Sequence, residues 1–282
     1  MKNKIAIVTG TSSGFGLMTS IELAKEGFTV IAGMRDYSKS SNLLLEATKH
    51  GVESKIFVHK LDVTDEKLIL DFQTWVIEEF GKVDVLVNNA GYAGAGFVEE
   101  VSMDEYRKQF ETNVFGVFAV TKAFLPSMRK RGQGCIINIS SISGKTAFPG
   151  LSPYSASKHA IEGWSESLRL EMKPFGVKVV LVEPGSYKTS IWTTGKQVAA
   201  GSLHADSPYH DYMVKIENYI SEGENNFGSP QEVARKITEI AGMKNPDLRY
   251  PIGQGVKAAI FIKNLMPWKL WENVILKKLF KK

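Results

Sequence analysis

At 282 residues, 43% of them apolar and 23% charged, the chain can bury one sizeable core, and its composition excludes a disordered or fibrous protein. The formal charge of +5 is lopsided: residues 257–282 hold seven lysines against Glu272, a tail of +6 on a body of −1, and a near-neutral body argues against a nucleic-acid partner. The single cysteine, Cys135, excludes an intrachain disulfide and dithiol chemistry, and its place in the apolar run 135–139 reads as a small core side chain.

The chain opens on an apolar run at 5–8, far too short for a signal-peptide core or a membrane span, so the expected location is cytoplasmic. Thr9-Gly10 and then Gly14 and Gly16 follow, after which Leu17, Ile21, Leu23 and Ala24 recur at helical spacing: strand, glycine turn, helix. The rhythm repeats with a strand at 29–33, a helix at 41–50, a strand at 54–60, a helix at 66–80 and a strand at 83–87. A helix at 103–130 leads to a strand at 135–140, a helix at 153–175 to a strand at 178–182, and a last strand is expected at 248–252. Strands alternating with helices predict an α/β fold, a parallel sheet covered on both faces in one domain. No linker or repeat interrupts it.

The segment 186–228 breaks the rhythm, mixing Tyr187, Trp192, Tyr209, Tyr212, Met213 and Phe227 with glycines, and is expected to be an irregular substrate loop or lid. From Pro267 on, Trp268, Trp271, Ile275 and Leu279 recur at helical spacing among lysines that include Lys281 and Lys282, a basic amphipathic helix. Such a helix packs on its own protein or a partner subunit, or lies peripherally at an anionic membrane surface. The expected division is a dinucleotide-binding and catalytic unit over 1–255 and a basic extension over 256–282.

The turn Thr9-Gly10-Thr11-Ser12-Ser13-Gly14-Phe15-Gly16 joins a strand to a helix, where backbone amides and the helix N-terminus can hold a pyrophosphate. Pro153 suits a first helical position with Ser152 as its cap, so Tyr154 and Lys158 fall on one helix face. A lysine beside a phenol, helped by any further cation bound next to it, is expected to lower the phenol's pKa and make Tyr154 an acid/base. The five histidines show no metal-ligand pairing, so no metal is expected.

The glycine spacing, together with Asp62-Val63, Asn88-Asn89-Ala90-Gly91, Asn113, Ser141, Tyr154-x-x-x-Lys158 and Pro184-Gly185 in that order, resembles the short-chain dehydrogenase/reductase family over residues 5–189. The resemblance implies a Rossmann-type doubly wound sheet, a nicotinamide cofactor, a small-molecule carbonyl or alcohol substrate, and homodimers or homotetramers. It implies that Gly10, Thr11, Ser12, Ser13, Gly14, Phe15 and Gly16 cradle the pyrophosphate, and that Asp62 and Val63 meet the adenine. By the same likeness Asn89, Ala90 and Gly91 line the groove, and Pro184, Gly185 and Thr189 hold the nicotinamide. Asn113, Ser141, Tyr154 and Lys158 would form the catalytic tetrad, Ser141 being chosen over Ser140 and Ser143 by its interval to the tyrosine. At the end of the second strand, where NAD-preferring members carry an acid, stands Met34, followed by Arg35; a guanidinium suits a 2′-phosphate and favours NADP(H), unless Asp36 neutralises it and leaves NAD(H) in use. The long loop and tail suggest an apolar substrate and steroid- or retinol-type relatives. A 3-oxoacyl-carrier-protein reductase and a non-catalytic NADP-binding regulator are the alternatives.

Overall fold

The computed structural model describes residues 4–189, 191 and 195–280. Trp192, Lys281 and Lys282, named above, lie outside the described residues. Seven parallel strands run in the order β3-β2-β1-β4-β6-β7-β9: β1 (Ile5–Thr9), β2 (Thr29–Met34), β3 (Ile56–Lys60), β4 (Val85–Asn88), β6 (Gly134–Ile139), β7 (Val177–Pro184) and β9 (Arg249–Ile252). The order reverses direction at β1, between β2 and β4, so the chain leaves β1 at a switch point where the loops part and open a crevice.

Alternate strand residues feed two cores, the reason these runs are apolar throughout. Ala6 and Val8 of β1 meet Leu17 and Ile21 of α1 (Gly14–Lys25), Leu43 of α2 (Ser41–Lys49) and Val233 and Ile237 of α8 (Pro230–Gly242). Ile5 and Ile7 face the other way, onto Phe72 and Val76 of α3 (Glu66–Phe80), Phe124 of α5 (Gly116–Arg131) and Leu168 of α6 (Ser152–Met172). Helix ends carry their expected chemistry: the Asp65 carboxylate accepts from the Leu68 amide at 3.0 Å to start α3, and Gly81 ends it at φ +73°.

Four expectations change. The helix expected over 103–130 is α4 (Met103–Phe110) and α5 joined by a π-turn, Glu111–Phe115, which places Asn113 inward. Ser152 is the first residue of α6 and not its cap, because its hydroxyl is drawn to the Tyr106 hydroxyl at 2.7 Å. The segment 186–228 is more ordered than a loop: β8 (Lys196–Val198) pairs with β5 (Ala93–Ala95), and α7 (His210–Gly223) buries Met213 and Ile216 against Phe97. Besides α7, two helices were not anticipated, α8 and α9 (Val256–Leu265), and with α10 (Trp268–Leu279) the latter makes the C-terminal extension two helices broken at Pro267.

Candidate active site

The turn after β1 is built by close approach. Gly10 has φ +70°, and a Cβ there would sit 2.8 Å from Ala90 Cα; at Gly16 a Cβ would fall 2.3 Å from the Gly10 carbonyl oxygen and 2.5 Å from Asn89 Nδ2. Asn89 Nδ2 donates to the carbonyls of Thr9 at 2.8 Å and Gly10 at 3.1 Å, and the Asn89 and Ala90 amides donate to Thr9 Oγ1. These bonds tie the end of β4 to the turn. Ser12, Ser13, Gly14 and Phe15 face a cleft of about 1840 Å³, whose floor the first-turn amides of α1 can line for an anion. Thr11 and Gly16 are placed otherwise: the Thr11 hydroxyl donates to the Gly33 carbonyl at 3.2 Å, and Gly16 provides the packing that lets α1 approach β1, so both shape the turn and neither lines the cleft.

Met34 is buried at the end of β2 and Arg35 stands exposed on the rim of the same cleft. Asp36 feels its charge weakly and makes no ion pair with it among the described residues. Its carboxylate accepts from the Ser38 amide at 3.0 Å and the Ser38 hydroxyl at 2.6 Å, bonds that hold it below the usual carboxylate range, and its nearest cation is Lys39 at 3.9 Å. Arg35 has no ion pair among the described residues. Lys39, a second cation on this rim, was missed; it stands four residues after Arg35 in plain view, but only the turn Tyr37–Ser40 brings it round. Asp62 closes its own turn, accepting from the Thr64 amide and hydroxyl at 3.0 and 2.8 Å, and with Val63 it lines the cleft wall beyond Arg35.

Deeper in, β6 and α6 bring Ser141, Tyr154 and Lys158 to one wall. Lys158 Nζ lies 5.6 Å from the centre of the Tyr154 ring and donates to the Ile139 carbonyl at 2.7 Å. Ser141 hydrogen-bonds the Tyr154 phenol and accepts from the Ser143 amide at 3.1 Å. Ser140 is buried, with a hydroxyl that has no partner among the described residues. Burial pushes the Tyr154 phenol up to about 12 against the opposing pull of the Ser141 bond, and pushes the Lys158 ammonium down to about 8 although Glu162 favours its charge. Burial is thus the chain's largest influence on this phenol, and the Lys158 ammonium is held by the Ile139 carbonyl; the expected lowering counts on a cationic nicotinamide beside the lysine. Asn113 lies behind this wall and outside the cleft, its Oδ1 accepting from the Tyr92 amide at 3.1 Å and its Nδ2 donating to the Tyr92 carbonyl at 3.0 Å and Ser157 Oγ at 3.3 Å. Gly91 passes so close that a Cβ there would meet Asn113 Oδ1 at 3.0 Å.

The Pro184-Gly185 turn ends β7, with the Gly185 amide donating to the Ile252 carbonyl at 2.9 Å. Thr189 lines the cleft, and its buried hydroxyl has no partner among the described residues. The far end is apolar: Phe148 and Leu151 before α6, Ile216 and Ile220 of α7, and Trp271, Ile275 and Leu279 of α10. Trp271, Ile275 and Leu279 of the stripe on the basic tail thus pack on their own protein while Trp268 stays exposed, with Tyr212 and Phe280 rings 4.7 Å apart and Lys215 Nζ 4.8 Å above Phe280. These wall residues were missed as site residues, although Met213, Ile216 and Ile220 already carry helical spacing. No helix among the described residues is long and apolar enough to cross a membrane, and no group of three His, Cys, Asp or Glu there could hold a metal.

A doubly wound parallel sheet with a glycine cradle at its switch point and a phenol–ammonium pair on the adjacent wall defines a dinucleotide-dependent oxidoreductase. The family model described as short chain dehydrogenase matches residues 4–198. The protein is 50% identical over 281 residues to the uncharacterized oxidoreductase YusZ of Bacillus subtilis, covering 99% of this chain and 100% of that one. It is 36% identical over 264 residues to a 3-ketodihydrosphingosine reductase of Bacteroides thetaiotaomicron, covering 94% and 93%. Among solved structures, a short-chain dehydrogenase from Streptomyces avermitilis superposes with TM-score 0.82 at 33% identity over 96% of both chains. An actinorhodin polyketide ketoreductase variant with NADPH gives 0.75 at 31% identity over 90% and 97%. The chain belongs to the short-chain dehydrogenase family, the NAD(P)-dependent oxidoreductases.

Proposed function

We propose that this enzyme uses NADPH to reduce a ketone carried on a long apolar chain, with Tyr154 as proton donor. The observation that carries the reading is the continuity of the cleft, which runs from the cationic rim at Arg35 past Ser141, Tyr154 and Lys158 to an apolar end walled by Phe148, Ile216 and Trp271. The residues fit the cofactor: Gly10 and Gly16 permit the tight turn that presents Ser12, Ser13, Gly14 and Phe15 to the cleft, and Thr189 offers there a buried hydroxyl with no partner among the described residues. Gly14, Phe15, Ala90 and Gly91 would border the pyrophosphate and ribose, Asp62 and Val63 the adenine, and Arg35 with Lys39 the 2′-phosphate. A bound nicotinamide supplies hydride to the carbonyl carbon.

The Ser141 hydroxyl donates a hydrogen bond to the substrate oxygen as charge develops there, and Tyr154 hands the same oxygen its proton. A phenol kept protonated by burial suits this reductive direction, since it is the acid form that the step consumes. The Lys158 ammonium then returns a proton to the phenolate and is itself recharged from water in the cleft, and Asn113, clamped by Tyr92 and Ser157, fixes the π-turn behind it. The relative named as a 3-ketodihydrosphingosine reductase supports a lipid-borne ketone, and the NADPH in the polyketide ketoreductase structure supports that cofactor. A homodimer or homotetramer and a catalytic unit over 1–255 with its extension belong to the same reading.

The test is NADPH consumption against long-chain 3-ketones, short soluble ketones and an acetoacetyl thioester. Turnover strongest with the long-chain ketones is expected. Preference for the thioester would make the enzyme an acyl-carrier-type reductase, and cofactor binding without any turnover would make it a regulator.

A further inference from the structure

We infer that the outer face of α9 and α10 docks on an anionic lipid bilayer and sets the apolar end of the cleft against it, so that substrate enters from the membrane. The inference rests on the lipid-ketone reading for the identity of what enters, but not for the docking itself. Each of the two helices has two sides. Inward, Ala259 and Trp271 line the cleft and Val256 and Ile260 are buried. Outward, Phe261 is 64% exposed, Leu265 69%, Trp268 64% and Leu270 55%, a concentration of large apolar side chains that a water-facing surface does not hold without use.

The charge around this face identifies the occupant. Lys257 and Lys269 are exposed beside these apolar residues, Lys277 is exposed further along α10, and Glu272 is the one acid between 256 and 280. A second copy of the same face would meet it lysine to lysine, and a purely apolar partner would leave the ammonium groups without counter-charge. An anionic headgroup layer satisfies both: lysine stems lie along the acyl boundary with their ammonium groups at the phosphates, and Trp268 sits at headgroup depth, the level tryptophan favours. Each lysine near such a surface contributes about five-fold in partitioning, so Lys257, Lys269 and Lys277 together contribute about 100-fold. The same helices wall the cleft, since Lys278 and Leu279 of α10 line its apolar end, so docking and substrate entry share one structure.

The experiment is flotation of the full-length protein with phosphatidylglycerol vesicles and with pure phosphatidylcholine vesicles, for wild type and for Phe261→Ser/Leu265→Ser/Trp268→Ser. These three side chains are exposed and line no part of the cleft, so folding and turnover of a short soluble ketone serve as controls. Expected is flotation with the anionic vesicles only, lost at least ten-fold in the triple variant and in high salt, with soluble-ketone turnover unchanged. Three outcomes overturn the inference: no flotation of wild type, equal flotation of the variant, or a variant that changes oligomeric state while vesicle binding stays. Because flotation needs no substrate, failure of the lipid-ketone reading appears separately, as turnover that does not favour long-chain ketones while the protein still floats.

Discussion

Replacing Arg35 with alanine tests the reading of the cofactor rim. Arg35 has no ion pair among the described residues, and Asp36, the acid nearest in sequence, is held in a turn by the Ser38 amide and hydroxyl. The guanidinium is therefore available to a 2′-phosphate, and a charge-assisted hydrogen bond of that kind contributes about 1.5–3 kcal/mol. Its removal should lower kcat/KM with NADPH by about 10- to 150-fold. With NADH, which has no phosphate there, the change should stay within about two-fold. Lys39 is exposed and shared with Asp36 at 3.9 Å, so Lys39→Ala should cost no more than about five-fold with NADPH. If both cations hold one phosphate, the double variant should depart from additivity, and the NADPH preference should shrink as salt rises. Steady-state kinetics with both cofactors read all of this. An Arg35→Ala enzyme that loses NADPH and NADH activity equally, or neither, refutes the argument.

Three further predictions follow from burial. Cys135 is enclosed and its thiol is pushed up to about 12, so a disulfide reagent should leave it untouched in the native protein and label it fully in denaturant; rapid native labelling would contradict its place in the core. Burial and the neighbouring Glu162 raise the Glu183 carboxyl to about 7, against 4.5 for an ordinary glutamate, while Arg249 Nε lies 3.2 Å away. The folded state thus keeps a proton that the unfolded chain releases, and this group's contribution declines as pH rises through 4.5 to about 7. Urea unfolding of Glu183→Gln should accordingly shift in the variant's favour, relative to wild type, between about pH 5 and about pH 8; an unchanged difference would refute the assignment. Gly16→Ala places a Cβ 2.3 Å from the Gly10 carbonyl oxygen and should weaken NADPH binding at least ten-fold, measured by fluorescence titration, whereas unchanged binding would show that the turn can relax.

Much of this was legible in the sequence because its signals are local. Two-sided burial makes the strands continuous apolar runs, so β1, β2, β4, β6 and β7 stand out, and the glycine turn needs only its neighbours to be recognised. What escaped depends on distant partners. Ser152 reads as a cap until Tyr106, 46 residues away in sequence, takes its hydroxyl. Helix α7 hides in a segment rich in glycine and aromatic residues, because its apolar stripe of Met213, Ile216 and Ile220 is narrow and gains meaning only against Phe97. The burial that pushes the Tyr154 phenol up is hidden for the same reason: the lysine is visible in sequence, whereas the packing that desolvates the phenol is not. Lys39 and the wall formed by Trp271 belong to the site through turns and packing that no short motif records.

The central claim is that Tyr154 delivers the proton in an NADPH-dependent carbonyl reduction. Its most direct test is Tyr154→Phe, with NADPH affinity and ketone reduction measured on the same preparation. The account predicts NADPH binding within about three-fold of wild type, since the ring is kept, and a loss of at least about 100-fold in kcat, the contribution of a positioned general acid. Retained turnover in a folded, NADPH-binding Tyr154→Phe enzyme would contradict it.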